Sequence, residues 1–219
     1  MKKGFFYNNG LPIAFLILFI LSMIGQAITG WKEHNEDLKK DKYPALAFSK
    51  YLSTGHFIEA TFENWESEFL QMALFVLLTR GLRQKGSSES KKMDEEEEVD
   101  REPDSNKKDA PWPVHKGGLV LSFYKNSLTI ILILLYVFSF IMHIYGSWLD
   151  NNEEHVRIGL PTEPVTKFLQ GSRVWFESFQ NWQSEFLSIV AIIVLSIYFR
   201  QQGSSQSKPV DAPHAETGE

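Results

Sequence analysis

"LPIAFLILFILSMIGQAITGW" occupies residues 11–31, and no Asp, Glu, Lys or Arg occurs from Gly4 to Gly30. A helix needs about 20 mainly apolar residues to cross a bilayer, so this run is long enough. A second uncharged stretch, from Asn126 to Leu149, holds "SLTIILILLYVFSFIMHIYGSW" at 127–148. The mean hydropathy of the whole chain is slightly negative, but only because two charged stretches dilute these runs. With no cysteine among 219 residues, disulfides, thiolate nucleophiles and Cys-type zinc sites are excluded. The formal net charge of −5 comes with no basic, aromatic-interleaved stripe, which argues against a nucleic-acid partner.

The hexapeptide "NWESEF" at 64–69 returns 117 residues later as "NWQSEF" at 181–186. The same offset pairs Phe6-Tyr7 with Phe123-Tyr124, Asn9 with Asn126, Ser22 with Ser139 and Trp31 with Trp148. It also pairs Asn35-Glu36 with Asn152-Glu153, Pro44 with Pro161, Arg83-Gln84 with Arg200-Gln201, and "GSSESK" (86–91) with "GSSQSK" (203–208). No gap is needed, and about a third of the aligned positions are identical. Chance does not hold one register over such a length, so the sequence reads as a tandem duplication.

Each copy has a second apolar segment after the hexapeptide, "FLQMALFVLLTRGL" (69–82) and "FLSIVAIIVLSIYF" (186–199). Extended backwards through Trp65 or Trp182, each reaches spanning length, with the tryptophan near the interfacial belt. The expected fold is an all-α membrane protein with four transmembrane helices near 10–30, 61–82, 127–148 and 178–200. These form two tandem parallel repeats of two helices, because an even number of crossings brings both copies in from the same side. The N-terminus also fits a signal peptide ending in Gly25-Gln26-Ala27. Residues 4–30 match an internal segment, however, so a membrane helix is the better reading.

The expected organisation is a first membrane repeat at 4–91, a charged disordered linker at 92–118, a second repeat at 119–208 and a disordered tail at 209–219. The linker carries "DEEEE" at 94–98, a composition that cannot bury enough apolar area to offset chain entropy. Short helices are expected after Pro44 and Pro164, with breaks at Gly55 and Ser172. Lys2, Lys3, Arg80, Arg83, Lys85, Lys116, Lys125 and Arg200 flank the helix ends on the side of the termini, whereas most basic residues in the opposite loops sit among acids. That bias places both termini in the cytoplasm, on the cell's inner membrane.

At helical spacing, Phe62, Trp65 and Phe69 share a face, as do Phe179, Trp182 and Phe186. Asn64, Ser67, Glu68 and Gln71 share the other, as do Asn181, Ser184, Glu185 and Ser188. Rise per residue puts Gln26 and His143 at the level of these groups. The candidate site is therefore a polar layer of Gln26, Asn64, Ser67, Glu68, His143, Asn181, Ser184 and Glu185, facing the bundle interior. Trp31, Trp65, Trp148 and Trp182 are the expected interfacial anchors. The plainer reading of the layer is helix-start charge and capping with ordinary interhelical hydrogen bonds. His143 lacks a second His at metal-ligand spacing, so no metal or cofactor is expected.

"GHFIEATFENWESEFLQM" (55–72), with "NNGL" (8–11) upstream and "LRQKGSSESK" (82–91) downstream, resembles a family of small bacterial integral membrane proteins catalogued only as a domain of unknown function. The resemblance covers both repeats and implies a multi-pass membrane protein, with no catalytic or binding residue to carry over. The second copy departs from it at "SRVWFES" (172–178). The expected role is structural or partner-binding within the membrane, the partners being the lipid bilayer, other membrane proteins or a second copy. The alternative is an ion, proton or small-solute transporter or channel using the polar layer. No nucleophile–base pair or phosphate loop is visible, so an enzyme is not expected.

Overall fold

The computed structural model describes residues 4–218. Among these the chain forms helices α1 (Phe5–Asn8), α2 (Gly10–Lys40), α3 (Phe48–Tyr51), α4 (Gly55–Thr79), α5 (Trp112–Lys116), α6 (Gly118–Lys125), α7 (Ser127–Arg157), α8 (Val165–Phe168) and α9 (Arg173–Tyr198), and no strand. The short α3 and α8 fall where Pro44 and Pro164 predict them. α4 and α9 begin at and just after the expected breaks, Gly55 and Ser172. The segment read as a linker ends in α5.

Local chemistry explains the ends. Asn9 closes α1 by donating its side-chain N–H to Phe5 O at 2.9 Å, and Asn126 closes α6 on Ser122 O at 2.9 Å. Both α2 and α7 have 31 residues, about 46 Å at 1.5 Å per residue, well beyond a hydrocarbon core of about 30 Å. Sequence reading stopped them where charges begin, near 30 and 148. Residues 32–40 hold no Pro or Gly, so nothing in the backbone ends the helix there. Each instead ends in a Schellman turn. Tyr43 N–H reaches back to Leu38 O and Leu160 N–H to His155 O, both at 2.8 Å. The left-handed residue is Gly159 in one and Lys42, at φ 63, in the other.

Three of the helices, α2, α7 and α9, are long and apolar enough to cross a membrane. α4 is not among them, because Glu59, Glu63, Glu66 and Glu68 confine its apolar stretch to its second half. Only 6% of the apolar window of α2 is buried, 17% of that of α7 and 6% of that of α9. The fully buried side chains of α7 are instead Ser139, His143 and Ser147, spaced one turn apart along one face.

Contacts divide the chain into two units, Met1–Phe62 with Met142–Val174, and Glu63–Ile141 with Trp175–Glu219. Each draws on both halves of the sequence. In the first, α4 and α7 approach backbone to backbone at two glycines. A Cβ on Gly146 would fall on the Glu59 amide nitrogen and within 2.9 Å of the Ile58 carbonyl carbon. One on Gly55 would fall on the Asp150 amide and within 2.6 Å of Gly146 O. In the second unit α4 meets α9 through Gln71, whose Nε2 donates to Glu185 O at 2.8 Å and to Ser188 Oγ at 2.7 Å.

The glycine crossing leaves no room for a methyl group. Gly146→Ala should lower stability in detergent by about 1–3 kcal/mol, read as a fall in melting temperature. Gly25→Ala meets nothing within 4 Å and should be neutral or mildly stabilising. Equal melting of the two variants would refute the close approach.

Candidate functional site

Two tryptophans read as interfacial anchors hold the loops that follow their own helices. In α2, Trp31 Nε1 donates to Leu46 O at 2.7 Å, and Asn35 Nδ2 donates to the same oxygen at 3.1 Å. Asn35 Oδ1 in turn accepts the Leu46 N–H at 2.6 Å. In α7, Trp148 donates to Glu163 O at 2.7 Å, Asn152 donates to it at 3.1 Å and accepts the Glu163 N–H at 2.7 Å. Each asparagine thus satisfies both backbone groups of one loop residue, as a strand partner would. The sequence signal is Trp-x-x-x-Asn, one helical turn apart.

Beneath these loops the first unit holds two charged centres. In one, Tyr51 packs at 1% exposure, its hydroxyl 3.1 Å from His56 Nδ1. Burial, then Glu33 and Asp150, push the Tyr51 phenol up to about 12, so it remains a donor across the physiological range. The other ring nitrogen, Nε2, faces Glu33 Oε2 at 3.7 Å. The His56 ring lies 5.0 Å from that of His34. His34 is buried, with Nε2 3.7 Å from Glu153 Oε1, beyond hydrogen-bond reach. His34 is the main cause holding the Glu153 carboxyl below the usual carboxylate range, against the opposing effect of burial.

In the other centre Arg173, at the start of α9, binds three acids. Its Nη2 lies 2.6 Å from Asp150 Oδ2 and 3.3 Å from Glu59, and its Nη1 lies 3.2 Å from Glu154. Glu33 and His56 precede Asp150 and Arg173 by 117 residues each. At that spacing an imidazole stands where the later segment has a guanidinium, which cannot change charge. The tyrosine is matched too, since Gly30 and Tyr51 correspond to Ser147 and Phe168. A Cβ at Gly30 would strike the Tyr51 hydroxyl, so the hydroxyl sits on the ring in one half and on the helix in the other.

The polar layer read from the sequence is distributed over both units. In the first, Gln26 Nε2 donates to Thr61 Oγ1 at 3.3 Å, and His143 is fully buried. In the second, Ser67 is buried and donates to Asn64 O at 2.9 Å, while Asn64 itself is exposed. Ser184 makes the equivalent bond to Asn181 O at 2.8 Å, and Asn181 Nδ2 donates to Glu177 O. Glu68 is exposed and Glu185 half-buried. The carboxylate with no exposed surface is Glu66, which accepts the Trp182 Nε1–H at 2.8 Å. Trp65 is half-buried. Sequence reasoning missed Glu66, although Glu59, Glu63 and Glu66 form an acidic stripe at helical spacing and Glu66 is the variable position of the hexapeptide. It also missed Arg173, whose counterpart is a histidine.

Arg173 neutralises Glu59 and Asp150, side chains only 14% and 10% exposed. Arg173→Gln should therefore destabilise the protein by about 3–5 kcal/mol at pH 8. Arg173→Lys should recover part of the deficit, because a cation then remains beside the carboxylates. A deficit that Arg173→Lys leaves unchanged would show that Arg173 acts through its shape and packing alone.

No curated protein and no solved structure matches the chain. The model of one family, described as "Domain of unknown function (DUF6766)", matches residues 2–219. Nearly the whole chain lies within that match, and the protein belongs to this family.

Proposed function

We propose that the protein is an integral membrane protein of four spans, built as two tandem two-helix copies with both termini cytoplasmic, and that its role is structural or partner-binding. The observation that carries this reading is an inverted distribution of polarity. Large apolar side chains such as Phe15, Leu18, Leu134, Phe138, Leu187 and Leu195 are exposed, whereas Glu66, Ser67, Ser139, His143 and Ser147 are buried. Water would favour the reverse; hydrocarbon favours this arrangement.

The tandem reading draws support from hydrogen bonds that recur at the offset of 117: the Trp–Asn loop clamps, the Asn9 and Asn126 helix closures and the Schellman turns. The contact between Gln71 and Ser188 joins two positions related by that offset, which is expected only beside a two-fold axis. For α4 to span, its helix from about Trp65 to Thr79 must cross with Glu66 covered, and Glu66 is covered by Trp182. The ion pairs of the first unit are fixed links between segments, which suits a scaffold. No catalytic step is assigned to the chain.

A second reading, a proton or small-solute path, is favoured by one observation. Glu66 is a fully buried carboxylate, and ionisable groups within spanning helices default to function.

Two measurements test the proposal. Single cysteines at Ser53, Asn106, Thr166 and Ser205, all exposed, are probed with an impermeant thiol reagent in intact cells. Labelling at 53 and 166 with protection at 106 and 205 is expected; labelling at 53 and 106 together would remove α4 as a span. Proteoliposomes should show no proton flux above empty vesicles. Flux abolished by Glu66→Gln would replace the structural role with the transport one.

A further inference from the structure

In the second unit, α4 and α9 border an open groove of about 480 Å³, within the range of pockets that hold small ligands. Its walls are apolar, with Leu74 and Leu78 on one side and Ile189 and Ile193 on the other. Gln71 and Arg83 are the polar and the cationic side chain that α4 and the turn after it add to the lining. From Gln71 to its end at Thr79, α4 rises about 12 Å, within one leaflet of a hydrocarbon core about 30 Å thick, and Arg83 follows in the turn beyond. Apolar along one leaflet and cationic at the interface, the groove has the polarity profile of a phospholipid.

The state of Arg83 adds the second argument. Its Nη1 donates to the carbonyls of Thr79, Arg80 and Leu82 at 3.4, 3.4 and 3.2 Å. Its Nε and Nη2 make no hydrogen bond among the described residues. Arg200, 117 residues later, places its Nη1 likewise, on Ser196, Ile197 and Phe199. There, however, Nε donates to Pro209 O at 3.2 Å and Nη2 to Ala212 O at 3.1 Å. The tail of the chain thus supplies two acceptor oxygens to one arginine, and its counterpart at the mouth of the groove is left with two unused donors. Asp100 does not fill that place: its carboxylate is paired with Lys91. Two donors of a guanidinium fork match two oxygens of a phosphate.

We infer that the α4–α9 groove is a binding site for an anionic phospholipid, with an acyl chain along Leu74, Leu78, Ile189 and Ile193 and the head-group phosphate on Nε and Nη2 of Arg83. The site rests on the four-span reading, which puts the C-terminal end of α4 at a membrane surface. Any lipid can fill an apolar groove; the assigned property is head-group selection. One basic residue near an anionic surface is worth about 1 kcal/mol, a selectivity of roughly fivefold.

Native mass spectrometry of the purified full chain, delipidated in non-ionic detergent and titrated with dioleoyl phosphatidylglycerol or dioleoyl phosphatidylcholine, tests this. Phosphatidylglycerol should be retained about fivefold better, with one tight equivalent. Arg83→Gln should erase the preference, and Arg83→Lys should keep most of it. Ile189→Trp, which fills the groove, should lower retention of both lipids. Equal retention by the parent chain overturns the site, as does a preference that survives Arg83→Gln or Ile189→Trp. The thiol pattern at 53, 106, 166 and 205 separates the two failures. Lost selectivity with that pattern intact defeats the lipid site alone, whereas labelling at 106 defeats the four-span reading beneath it.

Discussion

A hydrocarbon solvent offers no hydrogen bonds, and that constraint orders nearly everything else in this protein. Along α7 the outward residues Leu134, Phe138 and Ile141 are exposed, while Ser139, His143 and Ser147 are enclosed. Apolar burial drives little association when the surroundings are equally apolar. Close packing and polar pairing must serve instead. Gly55 and Gly146 let two backbones touch, and Gln71 and Trp182 spend their donors across α4 and α9. Beyond the apolar windows the helices run on into charge, where the Arg173 centre and the loop clamps take over the same task.

Read as duplicated copies, the two halves keep their joints and change their charges. The helix closures at Asn9 and Asn126, the Trp–Asn clamps and the serine-rich loops after Arg83 and Arg200 use matching atoms. In those loops Gln84 N–H donates to Ser90 Oγ and Gln201 N–H to Ser207 Oγ, each at 2.9 Å. What differs is His56 against Arg173, Tyr51 against Phe168, and an unsaturated Arg83 against a saturated Arg200. One half therefore carries a histidine and an arginine with open donors, and the other an arginine at the first place and a filled one at the second.

Much of this was legible in the sequence. The apolar runs, the offset and the proline-led short helices can be read without coordinates because they depend on local pattern. The lengths of α2 and α7 are not legible from hydropathy, because charge ends an apolar run but not a helix, and residues 32–40 contain no helix breaker. The hexapeptide was read for helical phase, which groups Glu68 with Asn64 and Ser67. Burial of Glu66 depends on Trp182, 116 residues away, and phase within one helix carries no such information. For the same reason Trp31 and Trp148 were legible as boundary aromatics but not as donors to loop carbonyls.

The inverted polarity is tested most directly by nitroxide accessibility in reconstituted bilayers. Labels at Leu18, Leu134 and Ile141, each more than half exposed, should collide readily with molecular oxygen and hardly at all with a water-soluble nickel complex. A label at Ser139 should be shielded from both. Strong collision of the nickel complex with labels at Leu18, Leu134 and Ile141 would mean that these faces meet water, and would contradict the membrane account.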